Sequence, residues 1–144
     1  MTHAELAAGL FRSGFSCSQA VFAAFSEDLG LDRETALKIA QPFGGGIAGT
    51  GSTCGAVTGA LLVIGLKHGR SRPEDLAAKD RTYALVHEFL RRFREEQGTI
   101  VCRELLGVDL GTPAGHEAAR RQGLFTERCA PLVARAADLL DALL

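Results

Sequence analysis

Between Ile39 and Leu66 the chain carries no charged residue, and the middle of that stretch is Gly44-Gly45-Gly46-Ile47-Ala48-Gly49-Thr50-Gly51. Neither helix nor strand accommodates such a glycine density without large cost. A long uncharged segment is buried, either in a membrane or in a protein core. A membrane span needs ~20 consecutive apolar residues, and after the glycines only Ala56 to Leu66 remains. The segment therefore reads as a glycine-rich loop feeding a short apolar helix at the centre of a core. Glycine in the loop permits φ > 0 and lets backbone pass close to whatever the loop surrounds.

Helix starts are legible on both sides of this centre. Thr2 with Glu5 is a capping box that opens a short helix through Phe11, ended near Gly14. Ser16 with Gln19 is a second, and its helix buries Val21, Phe22 and Phe25 before stopping at Gly30. Asp32 caps a helix carrying Ala36, Leu37, Ile39 and Ala40, which Pro42 helps to end. Ser52 or Thr53 is placed to cap the apolar helix from Cys54 to about His68, with Gly69 as its stop. Ser71 with Glu74 reads as a third capping box, before a long helix that sets Leu76, Tyr83, Val86, Leu90 and Phe93 on one side. Gly98 ends it, Thr99 caps a short helix from Ile100 to Leu106, Thr112-Pro113 opens another, and an amphipathic helix runs from about Arg128 to Leu144. No stretch alternates with period two. The expected fold is all-α, a compact helical bundle forming one domain over residues 1–144.

A chain of 144 residues buries about 68–70% of the surface its unfolded form exposes, so its core needs no disulfide staples. The net charge of −1 offers no electrostatic footprint for a polyanion, and nucleic acid is not an expected partner. The basic cluster Arg91, Arg92 and Arg94 is followed at once by Glu95 and Glu96, as on a solvated helix face. Glu5 and Arg12 interrupt the N-terminal dozen residues, where a secretory leader would carry an unbroken apolar stretch. The expectation is a soluble, cytoplasmic protein without membrane insertion. Its thiols would then be reduced at rest, and its cysteines catalytic, ligating or merely buried.

Cys17, Cys54, Cys102 and Cys129 lie far apart in sequence, yet each falls in the first turn of an expected helix, after Ser16, Thr53, Thr99 and Thr126. A helix N-terminus presents unpaired N–H groups and roughly half a positive charge. A thiolate is stabilised there, and the thiolate is the form that attacks disulfides or binds metal. There is no Cys-x-x-Cys, so zinc-ribbon, ferredoxin and thioredoxin spacings are absent. Gly55 and Gly59 sit one turn apart in the apolar helix, where each costs about 1 kcal/mol relative to alanine. They imply that another backbone, a partner sulfur or a prosthetic group comes close. Both are candidate cofactor-binding positions; helix packing is the expected reason for Gly59, while at Gly55, beside the cysteine, packing and room for a cluster or a partner sulfur stand on equal terms.

The formal G-x-G-x-x-G of Gly44 to Gly49 follows a helix rather than a strand, and Ser52 stands where a phosphate-binding loop would place lysine. Nucleotide binding is set aside on that ground. His3, His68, His87 and His116 lack metal spacing. His116, between Cys102 and Cys129, is the histidine best placed to substitute as a ligand.

Taken together, Gly14-Phe15-Ser16-Cys17-Ser18-Gln19-Ala20-Val21, the glycine run into Cys54-Gly55-Ala56-x-x-Gly59, Cys102 before Leu105-Leu106-Gly107, and Cys129 resemble the C_GCAxxG_C_C family. This is a family of redox-active proteins of about this length, defined by four cysteines. The resemblance spans nearly the whole chain, with one departure: the family name writes glycine before cysteine, and here Cys54 precedes Gly55. It implies redox activity carried by Cys17, Cys54, Cys102 and Cys129, either as dithiol–disulfide pairs or as ligands of an iron–sulfur cluster, together with a redox partner protein. A similar domain in split-Soret-type cytochromes is associated with an iron–sulfur centre, but the Cys-x-x-Cys-His of covalent haem attachment is missing here.

Two other readings use the same residues. Structural zinc held by the four thiolates is one, though such sites usually draw ligands in close pairs. The other is a non-catalytic helical accessory or interaction module, of the kind that serves a membrane transporter, with core cysteines. The Gly/Ala face of the Cys54 helix and the apolar Leu139-Leu140-Leu143-Leu144 end favour it. A homodimer is the default association for a small soluble protein.

Overall fold

A computed structural model describes residues 1–144 as an all-α fold. Eight α-helices follow in order: α1 His3–Arg12, α2 Cys17–Ser26, α3 Arg33–Ala40, α4 Gly55–His68, α5 Leu76–Gln97, α6 Cys102–Leu106, α7 Pro113–Arg121 and α8 Ala130–Leu143. Short 3-10 turns at Glu27–Leu29 and Gln41–Phe43 finish α2 and α3. The only extended pairing is one antiparallel bridge between Thr53 and Val101. No helix is long and apolar enough to cross a membrane.

Both N-terminal capping boxes form. Thr2 Oγ1 accepts from Glu5 N and the Glu5 carboxylate accepts from Thr2 N; Ser16 and Gln19 repeat the exchange at α2. The helix so opened is the hub of the bundle. Every residue from Ser18 to Ser26 is buried, and α2 packs against α1, α3, α4 and α8. Its polar members are satisfied from within: Ser18 Oγ donates to Ala40 O at 2.8 Å, and Gln19 Nε2 donates to Leu37 O and to Gln41 Oε1. Helix α4 lies so close to α2 that a Cβ on Gly59 would stand 2.7 Å from Ser18 O. Helices α1, α5 and α8 close the remaining sides, with Phe89, Phe93, Val133 and Leu140 fully buried. Each such side chain contributes about 1.5–3 kcal/mol by leaving water.

Several expected details are corrected. Asp75, not Ser71, caps α5, its carboxylate accepting from Ala78 N at 3.1 Å. Only Phe89 and Phe93 of that helix are buried; Leu76 and Tyr83 are 60% and 58% exposed, while Leu85, Val86 and Leu90 pack half-buried against the core. Neither Ser52 nor Thr53 caps α4, which starts after Cys54. Thr99 does not cap α6 either; it accepts from Val101 N and donates to Glu104, and the helix begins only at Cys102. The final helix begins earlier than Arg128, with one wide π turn at Phe125–Cys129 running straight into α8. Arg91 and Arg92 meet Glu88 and Glu95 on the solvated face of α5.

Candidate functional site

Cys17 is the first residue of α2, placed there by the Ser16 capping box. Gly55, directly after Cys54, lets α4 approach it, since a Cβ at Gly55 would lie 3.0 Å from Ser18 N and 3.1 Å from Cys17 Cβ. The Thr53–Val101 bridge then draws Cys54 and Cys102 together: Cys54 N donates to Ile100 O at 2.8 Å and Cys102 N to Ser52 O at 2.6 Å. Cys129 arrives from the far end of the chain on the π turn. All four cysteines line a single pocket of about 120 Å³.

Two glycines of the loop, Gly45 and Gly46, form another wall. Residues Gly45, Gly46, Ile47, Ala48 and Gly49 all have positive φ, so the loop makes a left-handed turn. For Ile47, with φ 67°, that conformation is costly and is held by the surrounding hydrogen bonds, Ile47 N to Phe43 O and Ala48 N to Pro42 O among them. Gly46 admits no substitute, because its Cβ would fall 2.7 Å from Cys102 Cβ and 2.7 Å from Ser52 N. The rest of the lining is hydrocarbon, including Phe11, Leu105, Leu110, Phe125 and Leu132, with Ser16 the one other polar side chain.

The four thiols are free and differ in ionisation. The Cys17 pKa is pushed well up, first by its interaction with the Cys129 sulfur, then by desolvation and by the charges of the other sulfurs, although Cys17 is the one thiol of the four that is only half-buried. The same interaction favours the Cys129 thiolate more than burial opposes it, so Cys129 ionises first. Burial raises Cys54 to about 11, although the N–H groups of Ala56 and Val57 at the start of α4 work in the opposite direction. Cys102 is pushed up to about 12 by burial and by Cys54, Cys129 and Asp109, with Arg103 a smaller counterweight. The expectation that helix starts lower all four pKa values is therefore corrected: the N–H effect is present at Cys54, and desolvation outweighs it. Cys129 also lies in continuous helix, where Ala130 N bonds to Phe125 O, so no free helix end faces it.

Of the other candidates, Gly55 lines the pocket, whereas Gly59 packs against the Ser18 backbone away from it. His116 stands against Phe125, ring centroids 5.8 Å apart, outside the pocket. No three His, Cys, Asp or Glu side chains are placed to share one metal ion. Gly46, Phe11 and Phe125 were not legible as site residues, because only the tertiary path of the loop and of the π turn brings them to the thiols.

A comparison with known families matches residues 15–143 to the family described as "Putative redox-active protein (C_GCAxxG_C_C)". Comparisons with curated proteins and with solved structures gave no match.

Proposed function

The chain belongs to the C_GCAxxG_C_C family, and we propose that Cys17, Cys54, Cys102 and Cys129 act together as one redox centre by holding an iron–sulfur cluster. The observation that carries this reading is the single, mainly apolar pocket that all four thiols line. The donor set fits: four sulfurs, hydrocarbon walls, and a glycine at position 46 where a methyl group would collide with Cys102. Bound there, a cluster supplies one-electron transfer at a potential set by its charge, hydrogen bonds and burial.

The chain's own part is to present and prepare the sulfurs. Cys17 and Cys102 open helices α2 and α6, and Cys54 precedes α4, whose N–H groups at Ala56 and Val57 favour its thiolate. The raised pKa values of Cys17, Cys54 and Cys102 mean that metal binding there would release protons. The glycine loop and the phenylalanines exclude water.

A second reading, dithiol–disulfide exchange, is favoured by the mutual influence of Cys17 and Cys129, which line the same pocket and push each other's pKa in opposite directions. Anaerobic reconstitution with ferrous iron and sulfide separates the two. Stoichiometric bound iron and acid-labile sulfide, with visible absorption that falls on Cys→Ser substitution at any of the four positions, is the expected result. Colourless protein that retains no iron sinks the cluster. If its thiol count then cycles reversibly between four and two, and stops doing so in Cys17→Ser or Cys129→Ser, the dithiol reading stands.

A further inference from the structure

Phe11 and Phe125 line the thiol pocket and also an outer cleft, where Arg12, Phe15, Thr126 and Ala130 join them. The cleft measures about 550 Å³, within the roughly 300–1,000 Å³ common for small-ligand sites. Three phenylalanines, Phe11, Phe15 and Phe125, stand among its seven lining residues, and no acidic side chain lines it. Arg12 is exposed on the last turn of α1 and enters none of the chain's ion pairs. The fold therefore leaves one uncompensated guanidinium beside three phenylalanines, directly outside the thiols.

We infer that this cleft binds a planar aromatic anion of the flavin-phosphate or quinone-sulfonate kind. The phenylalanines offer ring faces and edges for stacking, and the guanidinium pairs with phosphate or sulfonate through a planar fork of donors. The occupant is committed by charge complementarity: a neutral aliphatic ligand would leave Arg12 unused, and a cation would be repelled. Phe11 and Phe125 would be the partition between ligand and sulfurs. The binding stands apart from the cluster reading; its bearing on electron exchange rests on that reading.

The test is a titration of the full chain with FMN, followed by flavin fluorescence, beside riboflavin, which keeps the ring and lacks the phosphate. Saturable FMN binding is expected. Arg12→Gln should weaken it by about tenfold or more, as loss of a charge-assisted hydrogen bond implies, and leave riboflavin nearly unchanged. Thr126→Trp, an exposed position that would fill the cleft, should weaken both ligands while thermal unfolding stays the same. A Cys17→Ser, Cys129→Ser double variant that loses iron and still binds FMN supports the inference; a folded double variant that loses FMN as well overturns it. So does the absence of saturable binding for both FMN and anthraquinone-2-sulfonate, or FMN affinity indifferent to Arg12→Gln and Thr126→Trp. Wild-type chain that binds FMN with these mutant responses yet never retains iron keeps the inference and removes the cluster.

Discussion

Thr53 and Val101 pair as an antiparallel bridge, and each is followed directly by a cysteine. Two residues nearly fifty positions apart in sequence are thereby fixed side by side before any ligand is considered. The bridge also explains why the loop ends where it does: Arg103 N donates to Gly51 O and Cys102 N to Ser52 O, so the loop's exit is tied to the start of α6. Loop, bridge and helix start form one device for holding Cys54 and Cys102.

The close fit of the loop predicts a contrast between two of its glycines. Gly46 (φ +72°) has Cys102 Cβ 2.7 Å from its would-be methyl, whereas Gly49 (φ +75°) has nothing within 4 Å. Gly49→Ala should cost only left-handed strain, ~1–2 kcal/mol. Gly46→Ala adds a collision with backbone and should cost a further ~1–3 kcal/mol, while lowering iron retention by displacing Cys102. Urea unfolding of both variants measures this. Equal losses, with iron retention unaffected, would mean that the loop does not position the thiol.

Helix α4 offers a second contrast. Alanine at Gly59 would press on Ser18 O at 2.7 Å, but at exposed Gly65 it meets nothing. Gly65→Ala should stabilise by up to about 1 kcal/mol through helix propensity. Gly59→Ala should destabilise by roughly 1–3 kcal/mol, since α2 and α4 must part. Thermal unfolding decides; a stabilised Gly59→Ala protein would show that the two helices have room to spare.

What the chain reveals locally and what it withholds follow from the range of the interactions. Thr2–Glu5 and Ser16–Gln19 are contacts over three residues, and composition alone places them. Asp75 was obscured by the Ser71–Glu74 pattern just upstream, which satisfies the same spacing without forming the cap. Thr126 mimics a helix start only because the true beginning, near Leu124, carries no capping side chain. Gathering the sulfurs needs contacts that span most of the chain, and nothing in local spacing encodes them. The helix-end argument for low pKa values erred for a related reason: it counted the nearby N–H groups and could not count the distant hydrocarbon that buries the sulfur.

The thiols should consequently ionise in a definite order. In the metal-free protein, iodoacetamide at mildly alkaline pH should label Cys129 first, and Cys17→Ala should slow that labelling by removing the hydrogen bond to the thiolate. Cys54 and Cys102 should stay unreactive, with pKa values near 11 and 12. An unfolded thiol ionises near ~8.5. Folded pKa values raised above that make stability complete below about pH 8.5 and progressively lost as pH climbs toward 11–12. Peptide mapping by mass spectrometry, with denaturation curves from pH 7 to 10, checks both. Cys54 alkylated ahead of Cys129, or a flat alkaline stability profile, would contradict the assigned order.

His3 supplies a pH dependence of opposite origin, remote from the thiols. Its Nδ1 lies 2.8 Å from Asp141 Oδ1 and its Nε2 2.7 Å from Asp28 Oδ2, while the ring stacks on Phe25 with centroids 4.0 Å apart. A neutral imidazole has one N–H and a carboxylate has none, so both contacts are hydrogen bonds only when the ring is protonated. Burial pulls the His3 pKa down, and the two carboxylates together more than reverse it, leaving the value raised. The group thus contributes stability that is fully present below the unfolded value of ~6.5 and is lost as pH rises through the higher folded value. Because both aspartates are substantially exposed, the gain should be ~1 kcal/mol or less, or about 2–4 °C in Tm for a chain of this size. Melting curves of the wild type and His3→Gln from pH 5 to 8.5 should differ most at the acid end and converge at the alkaline end. Curves that run parallel across that range would mean that the imidazolium does not clasp α1 to Asp28 and α8.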